Sequence, residues 1–110
     1  MASIPTVSVP DVPDHATVLD VREDSEWSAG HAPGAVHVPM SQLPARLADL
    51  PDGDGSSLAV VCRSGGRSAQ VVAWLTQQGY DVANVAGGMQ AWAAAGKPMV
   101  SERGTEATVI

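Results

Sequence analysis

The chain has 110 residues, a length that supports one hydrophobic core rather than two. Apolar residues make up 45% of it and charged residues 16%, too apolar for a disordered chain, yet no run of about 18 apolar residues exists that could cross a bilayer. The net charge of −6 argues against nucleic acid or an anionic membrane as partner, and the single cysteine, Cys62, excludes an internal disulfide and any multi-cysteine zinc site.

Short β-branched runs alternate with helical stretches, the pattern of an α/β protein whose central sheet of about five strands is mostly parallel and carries helices on both faces. In chain order, Thr6–Val9 and Thr17–Val21 read as strands, Asp24–Ala29 as a helix, Ala35–Val38 as a strand and Ser41–Leu50 as a helix. Pro51 to Ser57 is a surface connection of turn residues with no apolar anchor. Leu58–Cys62 is continuously apolar, as expected of a strand buried on both sides, and it delivers Cys62 to the strand's carboxyl end. Gly66–Gln78 is the best helix, with Val71, Val72 and Leu75 on one face, and Gly79 stops it. Val82–Asn84 follows as a strand, Gly88–Ala95 as a helix ending at Gly96, and Pro98–Val100 as a short further strand. Ser101–Ile110 is expected to be a frayed tail, so residues 1–110 form one domain with its core over about residues 5–100. Met1 to Pro10 lacks the basic start, apolar centre and cleavage site of a secretory signal, which makes the cytoplasm the expected location.

Charge is unevenly spread. Residues 1–54 hold nine acids against Arg22 and Arg46, whereas residues 55–101 hold Arg63, Arg67 and Lys97 against Asp81 alone. The locally basic half is the one with the cysteine, as binding of a small anion there would need.

Cys62-Arg63-Ser64-Gly65-Gly66-Arg67-Ser68 lies between a buried strand and an amphipathic helix, the place where open α/β sheets bind ligands. Two consecutive glycines let successive N–H groups turn inward into an anion-binding concavity, and the following helix aims its positive end at the same point. With Arg63 and Arg67 these donors favour the thiolate of Cys62 over the thiol and make it an activated nucleophile. His15, His31 and His37 are too dispersed for a zinc site, and nothing in the sequence places His31 or His37 beside Cys62 as a catalytic base. No phosphate-binding Gly-x-x-x-x-Gly-Lys-Ser/Thr loop is present, and no metal or cofactor is expected.

Four segments in register resemble the rhodanese-like domain family, and within it the small single-domain thiosulfate sulfurtransferases. Asp20-Val21-Arg22 with Glu26-Trp27, and Gly30-His31-Ala32-Pro33-Gly34-Ala35, are similar to its amino-terminal signatures. Cys62 to Ser68 resembles its active-site loop and Gly87-Gly88-Met89-Gln90-Ala91-Trp92 its carboxyl-terminal signature, so the match spans about residues 5–100. The resemblance implies a three-layer rhodanese-like fold and a Cys62 persulfide that takes sulfur from thiosulfate and passes it to cyanide or a thiol, including a protein thiol. The alternative it leaves is a protein-to-protein sulfur relay with poor activity on free thiosulfate. Backbone amides from Cys62 through Ser64, Gly65 and Gly66 to Arg67 would cradle the persulfide, while Arg63 and Arg67 attract the anionic donor. Asp20 and Arg22 are expected as an ion pair bracing the loop's surroundings, and Glu26, Trp27, His31, Gly87, Gly88 and Trp92 as architecture. Four residues separate Cys62 from Arg67, one fewer than in the related cell-cycle phosphatases, so the pocket should fit a sulfur atom rather than a phosphoryl group.

Overall fold

The computed structural model describes residues 4–51 and 57–110. Its sheet has five strands, β1 (Thr6–Val7), β2 (Val18–Asp20), β3 (Ala35–His37), β4 (Leu58–Val61) and β5 (Val82–Val85), in the order β1-β5-β4-β2-β3. All four pairings are parallel, as the continuous apolar character of β4 requires of a strand covered on both faces. Three α-helices cover it: α1 (Asp24–Ala29), α2 (Gly66–Gln77) and α3 (Gly88–Ala94).

The sheet separates two cores. On one face Leu19, Val21, Val60 and Cys62 meet Val71, Val72 and Leu75 of α2, together with Leu43. On the other, Val18, Val61 and Val85 meet Met89 and Trp92 of α3, with Val9 and Val12. Trp92 is fully buried, and its indole N–H donates to Pro98 O at 2.9 Å, which satisfies the polar atom that so large an apolar side chain carries inward. The layers are therefore those expected: helices on both faces of a parallel sheet.

Three expectations differ from the structure. Ser41–Leu50 is not an α-helix but two 3-10 segments, Met40–Ala45 and Leu47–Asp49, because Pro44 lies inside the first and can neither donate nor accommodate a preceding α-turn. Met40, Leu43 and Pro44 leave a groove of about 230 Å³ against Gln70, Val71 and Trp74 of α2. Pro98–Val100 forms no strand: Val100 makes one antiparallel bridge with His31. Nor is Ser101–Ile110 frayed. Its backbone donates from Glu102 N to Ser28 O (3.0 Å) and from Thr108 N to Ala29 O (2.9 Å), tying the tail to the end of α1. Residues 52–56 of the expected surface connection lie outside the described residues.

Candidate active site

β4 ends at Val61, so Cys62 emerges at the carboxyl edge of the sheet, between the ends of β2 and β5. The chain then turns through Arg63, Ser64 and Gly65 and enters α2 at Gly66. Gly65 has φ +109°, a left-handed conformation that costs a side-chain-bearing residue free energy and glycine almost none. That turn aims the Gly65 N–H back at the cysteine, 3.0 Å from Cys62 Sγ.

The outward side of the same turn is held by α3. Its first amides, Met89 N and Gln90 N, donate to Cys62 O (2.8 Å) and Arg63 O (2.9 Å). With the carbonyls of the turn taken from outside, its N–H groups are left facing inward. The approach is close enough that a methyl group on Gly88, at φ +54°, would land on the Cys62 and Arg63 carbonyls. This is what Gly88 is for.

Cys62 is buried, and burial by itself would push its thiol up. Against that stand the Ser68 hydroxyl, 3.3 Å from Sγ, and the N–H groups of Ser68, Gly65 and Ser64. Together these hydrogen bonds outweigh desolvation and hold the Cys62 pKa below its ordinary value. The arrangement is a buried, donor-lined seat for an anionic sulfur.

The two loop arginines do something other than line that seat. Arg67 makes a two-pronged pair with Glu26, Nη1 to Oε1 and Nη2 to Oε2 both at 2.8 Å. Its hydrogen bond to Arg67 lowers the Glu26 pKa against a smaller opposing effect of burial, and Arg67 is raised in return. Arg63 turns toward the tail, Nε donating to Ile110 O at 3.0 Å. With the Gln90 amide turned so that its oxygen faces the guanidinium, Arg63 Nη1 and Nη2 reach it at 3.0 and 3.2 Å. Among the described residues neither arginine donates to Sγ.

Asp20 and Arg22 are a fully buried pair, with Arg22 Nη2 on Asp20 Oδ2 at 2.8 Å. The same nitrogen donates to Gly30 O at 2.7 Å, so the pair fastens β2 to the end of α1 rather than to the cysteine turn. His31 and His37 both stack on Trp27, with centroids 3.4 and 4.7 Å away, and their ring nitrogens bond Trp27 O and Arg22 O.

Three participants were invisible or undervalued in the sequence. Glu26 is more than the architecture its motif implies: it is the partner of Arg67, 41 positions away. Ser68, in the first turn of α2, is fully buried against Sγ. Asn84, on β5, accepts from the Ser68 hydroxyl and donates to Gly65 O. A polar residue inside the otherwise apolar run Val82 to Val85 was the available signal for it.

Fold and site together define an α/β protein that presents a cysteine ringed by hydrogen-bond donors at the carboxyl edge of a parallel sheet. The family model for the rhodanese-like domain matches residues 10–95, and the chain belongs to that family. A protein from Allochromatium vinosum named sulfurtransferase is 42% identical over 88 residues, covering 79% of this chain and 80% of that protein. Thiosulfate sulfurtransferase 16, chloroplastic, from Arabidopsis thaliana is 37% identical over 91 residues, covering 73% of this chain and 76% of that one. The crystal structure of a rhodanese-related protein from Thermoplasma volcanium aligns with a TM-score of 0.77 at 31% identity, covering 87% of this chain and 97% of that one. These relatives support rhodanese-type sulfur transfer, a chemistry that runs from a sulfur donor to a thiol acceptor.

Proposed function

We propose that this protein is a thiosulfate sulfurtransferase in which Cys62 is the nucleophile. The thiolate attacks the outer sulfur of thiosulfate. A bond forms between Cys62 Sγ and that sulfur, the bond to the sulfite group breaks, and sulfite leaves with the electron pair. Cyanide or a thiolate then attacks the outer sulfur of the persulfide, and the Cys62 thiolate departs and is restored. Such a double displacement has ping-pong kinetics.

The observation that carries this reading is the convergence of donors on one buried sulfur: the Gly65 N–H at 3.0 Å, the Ser68 hydroxyl at 3.3 Å, and the N–H groups of Ser64 and Ser68. Fixed dipoles of this kind stabilise an anion without reorganising as it forms. The backbone N–H groups serve the thiolate first and the terminal sulfur of the persulfide next. Ser64, Gly65 and Gly66 belong to the cradle, and Arg67, neutralised in part by Glu26, supplies a positive field more than a contact. Arg63, at the loop's exposed side, is the residue that meets an incoming anion. Asp20 and Arg22 hold the frame. We read residues 1–110 as one domain acting in a reducing compartment such as the cytoplasm, where a lone low-pKa thiolate stays reduced.

The test is the intact mass after incubation with thiosulfate. A gain of about 32 Da, one sulfur atom, on the wild type and its removal by cyanide are expected, with no gain on Cys62→Ser. No gain on the wild type, with cyanide-labile mass appearing only from a persulfidated protein donor, would replace thiosulfate by a protein donor.

A further inference from the structure

We propose that Asn84 is a positioning residue that sets the nucleophilicity of Cys62 by competing with it for the hydroxyl proton of Ser68. The proposal rests on the reading of Cys62 as the sulfur-accepting thiolate and deepens it.

Asn84 lies on β5 in register with Val60 of β4, two residues before the cysteine. It is buried, and a buried amide is unfavourable unless its hydrogen bonds are made. Its Nδ2 is 3.2 Å from Gly65 O. A carbonyl only accepts, so this contact fixes which end of the amide is nitrogen, and the other end, Oδ1, faces Ser68 Oγ at 2.5 Å. The same hydroxyl is 3.3 Å from Cys62 Sγ. Oδ1 and a thiolate are both acceptors without a proton to give. Ser68 has one proton and no solvent exposure, so one donor serves two acceptors inside a closed cluster.

The division of that proton depends on the state of the sulfur. A thiolate draws it toward Sγ. Once Sγ is bonded to a second sulfur the negative charge lies on the outer atom, Sγ is a weak acceptor, and the proton turns to Asn84. In the free enzyme Asn84 therefore withholds part of the Ser68 donation, leaving Sγ more basic than a full hydrogen bond would. Nucleophilicity falls as thiol pKa falls, so this restraint keeps the sulfur reactive. The charged groups around Cys62 are Arg67 on α2, which interacts with its charge, Glu26 on α1, which holds Arg67, and Arg63 in the turn, which bonds Ile110 O. None of them changes in the variants below.

The measurement is the pH midpoint of Cys62 alkylation by iodoacetamide in the full-length protein. Ser68→Ala should raise the midpoint by about 1 pH unit and Asn84→Ala lower it by about 0.5, since removing the competitor gives the whole proton to the thiolate. In the Ser68→Ala background Asn84→Ala should move nothing, and Ser68→Thr should restore the wild-type midpoint. A rise with Asn84→Ala, or a shift that persists without Ser68, overturns the proposal, because Asn84 would then act by holding the Gly65 carbonyl. Where Asn84→Ala does not fold, Asn84→Ser reads the same cycle. An ordinary cysteine midpoint in the wild type would instead remove the thiolate reading beneath it.

Discussion

Two buried polar centres stand on neighbouring strands, and they answer burial in opposite ways. At the end of β2, the Asp20 carboxylate takes Arg22 N (3.1 Å), Nε (3.0 Å) and Nη2 (2.8 Å), so a buried charge meets a buried charge. At the end of β4, Cys62 meets hydrogen-bond donors and no paired cation, since Arg67 is already committed to Glu26. The two charges hold each other in place, and Arg22 Nη1 alone among the described buried side-chain polar atoms is left without a hydrogen-bond partner. A sulfur stabilised by neutral dipoles and the field of an arginine paired elsewhere still has its electron pair to give. The contrast separates what holds this fold from what reacts in it.

The largest effects should fall on opposite sides of that division. Cys62→Ser is expected to abolish sulfur uptake by mass while changing stability by less than about 1 kcal/mol. Arg22→Met should do the reverse, since stranding the Asp20 carboxylate costs about 3–5 kcal/mol, read from denaturant unfolding. If Cys62→Ser unfolds the protein as readily as Arg22→Met, the division is wrong. Replacing both members, Asp20→Leu with Arg22→Met, sharpens it: most of the lost stability should return, because no unpaired charge remains.

Gly88→Ala comes next. A methyl group against the Cys62 and Arg63 carbonyls must push α3 off the turn, and a displacement of about 1 Å at a reacting atom costs about 100-fold in rate. Thiosulfate turnover measures it, with the melting temperature as control. A turnover equal to wild type would mean that α3 is not what fixes the turn.

The pH predictions are smaller. Because the Cys62 pKa is held down, alkylation should stay fast to a pH below the free-cysteine value of about 8.5. Glu26 is also held down, chiefly by its hydrogen bond from Arg67. A carboxyl with a depressed folded pKa contributes stability that is complete above its unfolded value of about 4.3 and is lost as pH falls through the lower, folded one. Acid unfolding of Glu26→Gln should accordingly be less steep than that of wild type. At neutral pH the same change should cost only about 0.2–1 kcal/mol, as Arg67 is partly exposed.

Most of the frame was legible. β4 showed itself as an unbroken apolar run, α1 as Asp24–Ala29 and α2 as a helix starting at Gly66, because periodicity and glycine punctuation act over a few residues. The helix expected over Ser41–Leu50 failed on Pro44, a local signal outweighed by the apolar spacing around it. What the sequence could not give was pairing at a distance. The amphipathic face of α2 says nothing of Glu26 reaching Arg67, and the loop's glycines say nothing of α3 taking its carbonyls. The place of Cys62 at the carboxyl end of β4 was legible because its motif is local. Asn84 was not, because its partners Gly65 and Ser68 lie 19 and 16 positions away.

The grip of α3 on the turn also has a place in time. Synthesis runs from the amino end, and Cys62 leaves the ribosome well before Met89 and Gln90, whose amides complete its setting. β1 must likewise wait for β5, its sole neighbour in the sheet among the described residues. Until the last helix docks, the nascent chain is expected to carry an ordinary thiol. A chain ending before Gly87 should alkylate with the midpoint of a free cysteine, which would place the completion of the Cys62 setting after the synthesis of α3.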